Sequence, residues 1–235
     1  STHANSIIVL LNGRLIDGSG SDPTLETNVV IKDDRILSIE NSPTANIPAN
    51  STVIDATGGT ILPGFINTHI HLHIHTGFHK NILKRFARNG VTTVRDLGGV
   101  PRYFLKEGAN KDDDMARLVA AGPMLTEPEG YPPGPYRLEI FSVDDAVKET
   151  IQLIEDGASV IKIMVEDYLR DRAWPLLTKD KIEAIVNTAH NLNVPVSAHA
   201  VRFRNLKIAV DANVDDIAHI ILDHLPDNYI ERMLQ

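Results

Sequence analysis

Ile61-Leu-Pro-Gly-Phe-Ile-Asn-Thr-His69-Ile-His71-Leu-His73-Ile-His75 is the stretch around which the rest of the chain is organised. Side chains alternate across a strand, so an extended backbone turns His69, His71, His73 and His75 to one side and Ile70, Leu72 and Ile74 to the other. The flanking residues are too apolar to leave a solvent face for four imidazoles. Neutral imidazole is the commonest metal ligand, and a His-x-His pair on a strand can offer two nitrogens to one ion, at roughly 2.0–2.1 Å each for zinc. The spacing therefore predicts a metal site at the end of this strand.

Upstream, the chain reads as a small β unit. Ile7–Leu11 is a short apolar strand closed by Asn12-Gly13, Val29–Lys32 and Arg35–Ile39 flank the turn pair Asp33-Asp34, and Val53–Asp55 precedes Gly58-Gly59. From Gly59 onward the pattern changes to strands alternating with helices. Phe78–Asn89 has helical periodicity and stops at Gly90, and Val91-Thr-Thr-Val94 follows as a β-branched strand. Ser142-Val-Asp-Asp145 resembles a capping box that opens a helix ending at Gly157. Ser159–Val165, Val194–Ala198 and Val214–Ala218 read as strands, and Thr178–Asn191 and Leu206–Ala212 as helices. Such alternation implies parallel βα units. The expected organisation is a β-sandwich-like domain over residues 1–59, then an α/β domain of (β/α)8 TIM-barrel type over 60–235, incomplete at about six βα units.

What stands at the strand ends points to function. Asp96 closes Val-Thr-Thr-Val-Arg-Asp, Lys162 sits late in Ser-Val-Ile-Lys-Ile, His199 closes Val-Pro-Val-Ser-Ala-His, and His219 closes Asp-Asp-Ile-Ala-His. In a (β/α)8 barrel the strand C-termini converge on the active site. The candidate ligands are then His69, His71, Lys162, His199 and His219. An ammonium cannot ligate a metal, but burial beside divalent ions lowers an amine's pKa, and a neutral amine can add carbon dioxide to give an anionic carbamate with two oxygens. Such a bridge suits two ions roughly 3.5–4 Å apart.

These motifs, namely Pro63-Gly-Phe-Ile-Asn-Thr-His69-Ile-His71, Asn89-Gly-Val-Thr-Thr-Val-Arg-Asp-Leu-Gly-Gly99, Ala158-Ser-Val-Ile-Lys162-Ile, Val196-Ser-Ala-His199-Ala and Ile217-Ala-His219, resemble the successive signatures of the amidohydrolase superfamily, with an imidazolonepropionase and prolidase-like flavour. The resemblance implies His69 and His71 on one ion, His199 and His219 on a second, and a carboxylated Lys162 as bridge, the ions most often being zinc. It implies hydrolysis of an amide, peptide or cyclic amide of a small molecule by a hydroxide bridging the metals. Asn67 stands where the family usually has aspartate. Val165-Glu-Asp-Tyr168 replaces glycines common in dipeptidase-like relatives, which weakens any transfer of substrate. The family's general-base aspartate, on strand eight, is expected beyond Gln235, so the chain reads as the N-terminal part of a longer protein. Two other readings stand beside this one: a non-catalytic metal-binding scaffold, and a mononuclear deaminase-like hydrolase in which Lys162 is an ordinary lysine.

Composition narrows the partners. A formal net charge of −8 and the lack of any Lys/Arg cluster argue against nucleic acid. The absence of cysteine removes thiolate sites, and no apolar run approaches a membrane span. No dinucleotide or phosphate-loop motif follows any strand. A small-molecule substrate, a homo-oligomer and a cytoplasmic location are expected, with a processed leader left open because the first residue is Ser1. His73, His75, His79 and His224 read as loop histidines, His190 as a helix residue engaged in packing, and Gly122–Pro135, with Tyr131, as a long loop that could wall a pocket.

Overall fold

The computed structural model describes residues 6–41, 47–74, 79–108 and 114–234, and the chain divides into two compact units, Ser1–Gly64 and Phe65–Gln235. The first unit holds strands β1 (Ile7–Leu15), β2 (Thr24–Lys32), β3 (Arg35–Asn41), β4 (Thr52–Asp55) and β5 (Thr60–Ile61). Its described residues form a single five-stranded sheet in the order β3-β2-β1-β4, with β5 also on β1, rather than the two packed layers expected from the sequence. The reason lies in β1, which pairs antiparallel with β2 on one edge and carries β4 and β5 in tandem on the other, both parallel. The register of β1 shifts between Leu10 and Gly13, where Asn12 takes φ 60° and its N–H is held by the Asn28 side chain at 2.8 Å. Thr60 and Ile61, grouped by sequence with the second segment, thus pair within the first.

The second unit is built from parallel strands and helices. In chain order it contains β6 (Phe65–Ile70), the 3₁₀ turn Leu72–Ile74, α1 (His79–Arg88), β7 (Val91–Asp96), α2 (Arg102–Gly108), β8 (Arg117–Ala120), β9 (Met124–Thr126), β10 (Arg137–Glu139) and α3 (Val143–Glu155). It continues with β11 (Ile161–Met164), the hairpin β12 (Tyr168–Leu169) and β13 (Arg172–Ala173), α4 (Lys179–Asn191), β14 (Val196–His199), α5 (Phe203–Asp211), β15 (Asp216–Ile217) and α6 (Asp227–Met233). Two parallel sheets result, β6-β7-β8 and β10-β9-β11-β14-β15, and no closed barrel is formed among the described residues. The sheets are linked on one side by the Ser159 N–H, which donates to Ala120 O at 3.0 Å, and on the other by Arg95 of β7, which reaches Asp216 of β15 at 2.7 Å.

Register separates the faces of the central strands. Lys162 lies opposite Ser197 and Met164 opposite His199, while Ile161 pairs with Val196 and Ile163 with Ala198. Ile161, Ile163, Val196 and Ala198 join Leu125, Ile182, Ile185 and Ala209 in the main apolar core. The alternate residues, Lys162, Met164, Ser197 and His199, therefore share the opposite face. Both strands are buried along their whole length, as parallel strands covered on two sides are.

Local signals account for the helix boundaries. Ser142 caps α3, its Oγ accepting the Asp145 N–H at 3.0 Å, and Gly157, with φ 109°, follows its C-terminus. Ser142→Ala is expected to cost about 1 kcal/mol of stability, read by denaturant unfolding, because it leaves that N–H without its side-chain acceptor. Among the described residues no helix is long and apolar enough to cross a membrane.

Candidate active site

The strand ends before the later histidines, in keeping with the loop reading of His73. β6 stops at Ile70, and Leu72–Ile74 turns as a 3₁₀ helix, so the four-histidine alternation is not realised. The cause is Asp96 at the end of β7, a residue with no exposed surface, whose Oδ2 accepts the Leu72 N–H at 2.6 Å and whose Oδ1 accepts that of Gly98 at 3.0 Å. Burial pushes the Asp96 carboxyl up to about 7, against the opposing pull of backbone N–H donors from Leu72, Gly98 and Val100. Asp96→Asn replaces one acceptor oxygen by a donor facing an N–H. It is expected to cost about 1–3 kcal/mol, measured by thermal or urea unfolding.

This turn aims the first two histidines at each other. His69 Nδ1 lies 3.2 Å from Ala218 O, and His71 Nδ1 lies 2.9 Å from Gly98 O. A carbonyl only accepts, so each Nδ1 carries the proton and each Nε2 presents a lone pair. Those two Nε2 atoms stand 3.2 Å apart. The imidazoles continue as a chain, with ring centroids 4.9 Å apart for His69 and His219 and 4.4 Å for His199 and His219. Burial pushes His69 down to about 4 and His219 to about 3, and lowers His71 and His199 as well, which leaves all four neutral at pH 7. Among the described residues no three His, Cys, Asp or Glu side chains form a group able to hold one ion; the histidines meet in pairs.

Lys162 completes the cluster. It is 1% exposed, its Nζ has no hydrogen-bond partner, and it acts electrostatically on all four histidines. Burial pushes its amine down to about 7, Asp216 resisting and Arg95 assisting. Asp216 is itself held by Arg95 at 2.7 Å and by the Ser197 hydroxyl at 2.7 Å.

A cavity of about 350 Å³ opens onto this cluster, with His71, Lys162, His199 and His219 on its wall. Tyr131, Pro132 and Pro133, from the segment read as a pocket wall, line it. Tyr131 leans on His199 at 5.4 Å and meets Trp174 edge-on at 5.5 Å. His73 also lines it and stacks on Tyr136 at 3.8 Å. Gly99 makes room for that ring: at φ 105°, a Cβ there would lie 1.7 Å from His73 Nδ1.

Other candidates fall elsewhere. His79 packs edge-on against Phe104, His224 is exposed outside the cavity wall, and His75 lies outside the described residues. His190 is not a packing residue: its Nε2 reaches Asp215 at 2.9 Å, and Asp215 also accepts the Val196 N–H. Three residues were missed. Tyr136 and Arg170 line the cavity, and Glu166, 1% exposed, brings Oε2 to 3.6 Å from His199 Nε2, an approach too long for a hydrogen bond.

Parallel strands whose polar C-terminal residues converge on one cavity, with imidazoles and a buried lysine on its wall, define a class of α/β proteins that gather ligands from separate strand ends. The profile of the Amidohydrolase family matches residues 60–232, and the chain belongs to that family. An uncharacterized protein of Mycobacterium tuberculosis is 27% identical over 187 residues, which covers 75% of this chain and 48% of that protein. A dihydroorotase of Staphylococcus epidermidis is 40% identical over 73 residues, 29% of this chain and 17% of the enzyme. Among solved structures, a prolidase complexed with N-methylphosphonate-L-proline is similar at 25% identity and a TM-score of 0.78, over 92% of this chain and 62% of that one. An amidohydrolase is similar at 25% identity and a TM-score of 0.80, over 97% and 65%. The chain thus spans about half the length of the curated relative it matches most extensively here and under two thirds of these structures.

Proposed function

We propose that this chain carries the metal site of a hydrolase that cleaves a carbon–nitrogen bond, an amide or peptide, in a small molecule. The observation that carries the reading is the facing pair of Nε2 atoms on His69 and His71, 3.2 Å apart, with both Nδ1 protons committed to backbone carbonyls. Two lone pairs so placed repel unless a cation lies between them. Two ligands of one tetrahedral zinc, each at roughly 2.0–2.1 Å, stand about 3.3 Å apart, so the pair fits a zinc ion. Carbonyl acceptors on the distal nitrogens are also how metal-bound histidines are usually oriented.

His199 and His219 would hold a second ion, and Lys162 fits the bridge. A buried, unpartnered ammonium is costly, whereas a lysine carbamate is an anion with an oxygen for each ion. Each histidine pair would then gain the further donor it lacks on its own. Divalent ions bound there would supply an activated water and polarise the substrate carbonyl. The chain's own residues do the rest: Ala218 O and Gly98 O fix the tautomers of His69 and His71, Asp96 sets the turn that aims them, and Tyr131 and Tyr136 narrow the approach. The parallel ladders joined at Ser159 and Ala120 fit part of a (β/α)8 barrel, with the cluster at its strand C-termini. The similar prolidase, solved with a phosphonate of proline, supports amide cleavage as the reaction class.

The test is to load the protein with zinc, determine ions per chain, and assay amine release from N-acyl amino acids and dipeptides. Two ions per chain and chelator-sensitive release are expected. A single ion with deamination of an aminopurine would favour a mononuclear site, and two ions without turnover a scaffold.

A further inference from the structure

We infer that Arg170 is the recognition residue for a carboxylate on the substrate, so that the cavity takes an N-acylated amino acid or a dipeptide with a free terminal carboxylate. This deepens the hydrolase reading and rests on it for the position of the scissile bond.

Charge on the cavity wall is the first argument. Arg170 lines the cavity, together with Lys162, and no aspartate or glutamate does among the described residues. Some arginines elsewhere in the unit are matched to acids, as Arg95 is to Asp216, Arg137 to Glu139, Arg202 to Asp223 and Arg204 to Asp167, and Arg172 lies over the Trp174 ring; none of these lines the cavity. Arg170 has no such partner among the described residues, although the chain has a net charge of −8 and carboxylates are plentiful. A guanidinium left unmatched beside a concave site presents a planar fork of donors, the geometry that binds a carboxylate through two parallel hydrogen bonds.

The second argument is the backbone. β12 and β13 pair Leu169 with Arg172, so Arg170 and Asp171 alone make the turn, at φ 56° and φ 57°. A two-residue turn with both residues left-handed favours Asn-Gly, and side chains with a Cβ are strained there. Nothing in the hairpin calls for arginine. Strain of this kind gathers at ligand-binding positions, where the side chain's role outweighs local stability. The hairpin is anchored toward the cavity, because Trp174, which follows β13, donates its indole N–H to Leu169 O at 3.2 Å and packs on Tyr131.

The same contact provides a reporter, since Trp174 is the chain's one tryptophan. The zinc-loaded protein would be titrated with N-methanesulfonyl-L-phenylalanine and its methyl ketone counterpart, in which an acetyl group replaces the carboxylate, a pair without a hydrolysable amide bond, following Trp174 fluorescence. The acid is expected to bind about tenfold to a hundredfold more tightly than the ketone. In Arg170→Gln the preference should vanish while ketone binding is unchanged, and Arg170→Lys should retain part of it. Arg170→Gly should lose the preference and melt at a higher temperature, which a purely structural arginine would not do. Equal binding of both compounds by the wild type, a preference that survives in Arg170→Gln, or binding of neither compound would overturn the assignment. If the preference depends on Arg170 but no amide is cleaved, the hydrolase reading fails and carboxylate recognition stands. If neutral amides are cleaved as fast as acidic ones, the reverse holds.

Discussion

Lys162→Met is expected to make the metal-free protein more stable and the metal-loaded protein inactive. In the folded state burial pushes the amine from 10.5 down to about 7. Between those values the unfolded chain holds a proton that the folded chain has released, so wild-type stability rises with pH across this window and is lost as pH falls through about 7. Methionine carries no proton and fills a similar volume, so the variant should gain about 2 kcal/mol or more at pH 7 and show no such slope. With zinc present the effect reverses. Loss of the bridging anion leaves two cations uncompensated, and at least one ion should dissociate, with turnover reduced by about a hundredfold or more. In Lys162→Ala, short carboxylic acids should restore part of the activity by filling the gap. Chelated and zinc-loaded melts from pH 6 to about 10, with metal content, would check this; a methionine variant less stable without metal, or one retaining two ions and full turnover, would refute it.

The histidine pairs should behave in the opposite way to a structural histidine. His69→Ala and His199→Ala each remove a neutral imidazole from the cavity cluster, and each should lower zinc affinity by about a hundredfold or more and abolish turnover. Metal-free stability should change by no more than about 1 kcal/mol, since neither ring lies in the apolar core between sheet and helices. His190→Ala should show the converse: it loses the 2.9 Å contact between α4 and Asp215, costing about 1 kcal/mol at most, and leaves zinc binding untouched. Zinc titrations and melts of the three variants in one buffer would separate these outcomes.

The sequence made the ligand candidates legible because each stands at the end of a short apolar strand, and strand periodicity is a local signal. The α3 cap was legible for the same reason: Ser142 and Gly157 act within one turn of the helix they bound. What could not be read depends on partners far along the chain. The turn after Ile70 is imposed by Asp96, 24 residues beyond the N–H it accepts, so where the strand ends is not marked locally. Glu166 is buried against His199 only because α5 brings Asn205 onto it at 3.2 Å. The hairpin carrying Arg170 lacks the glycine or asparagine that usually marks such a turn, and β9 and β10 lie in and after a proline-rich segment that reads as loop. The first unit's single sheet follows from two short strands sharing one edge of β1, an arrangement that strand patterns alone do not distinguish from two layers.

The most direct test of the central claim is an anomalous diffraction measurement at the zinc edge on crystals grown with zinc. The account predicts two peaks at the cavity, one against the Nε2 atoms of His69 and His71 and one against His199 and His219, with density for a carbamate on Lys162. Metal-saturated crystals with no peak at these imidazoles, or with a free Lys162 amine and a single ion, would contradict it.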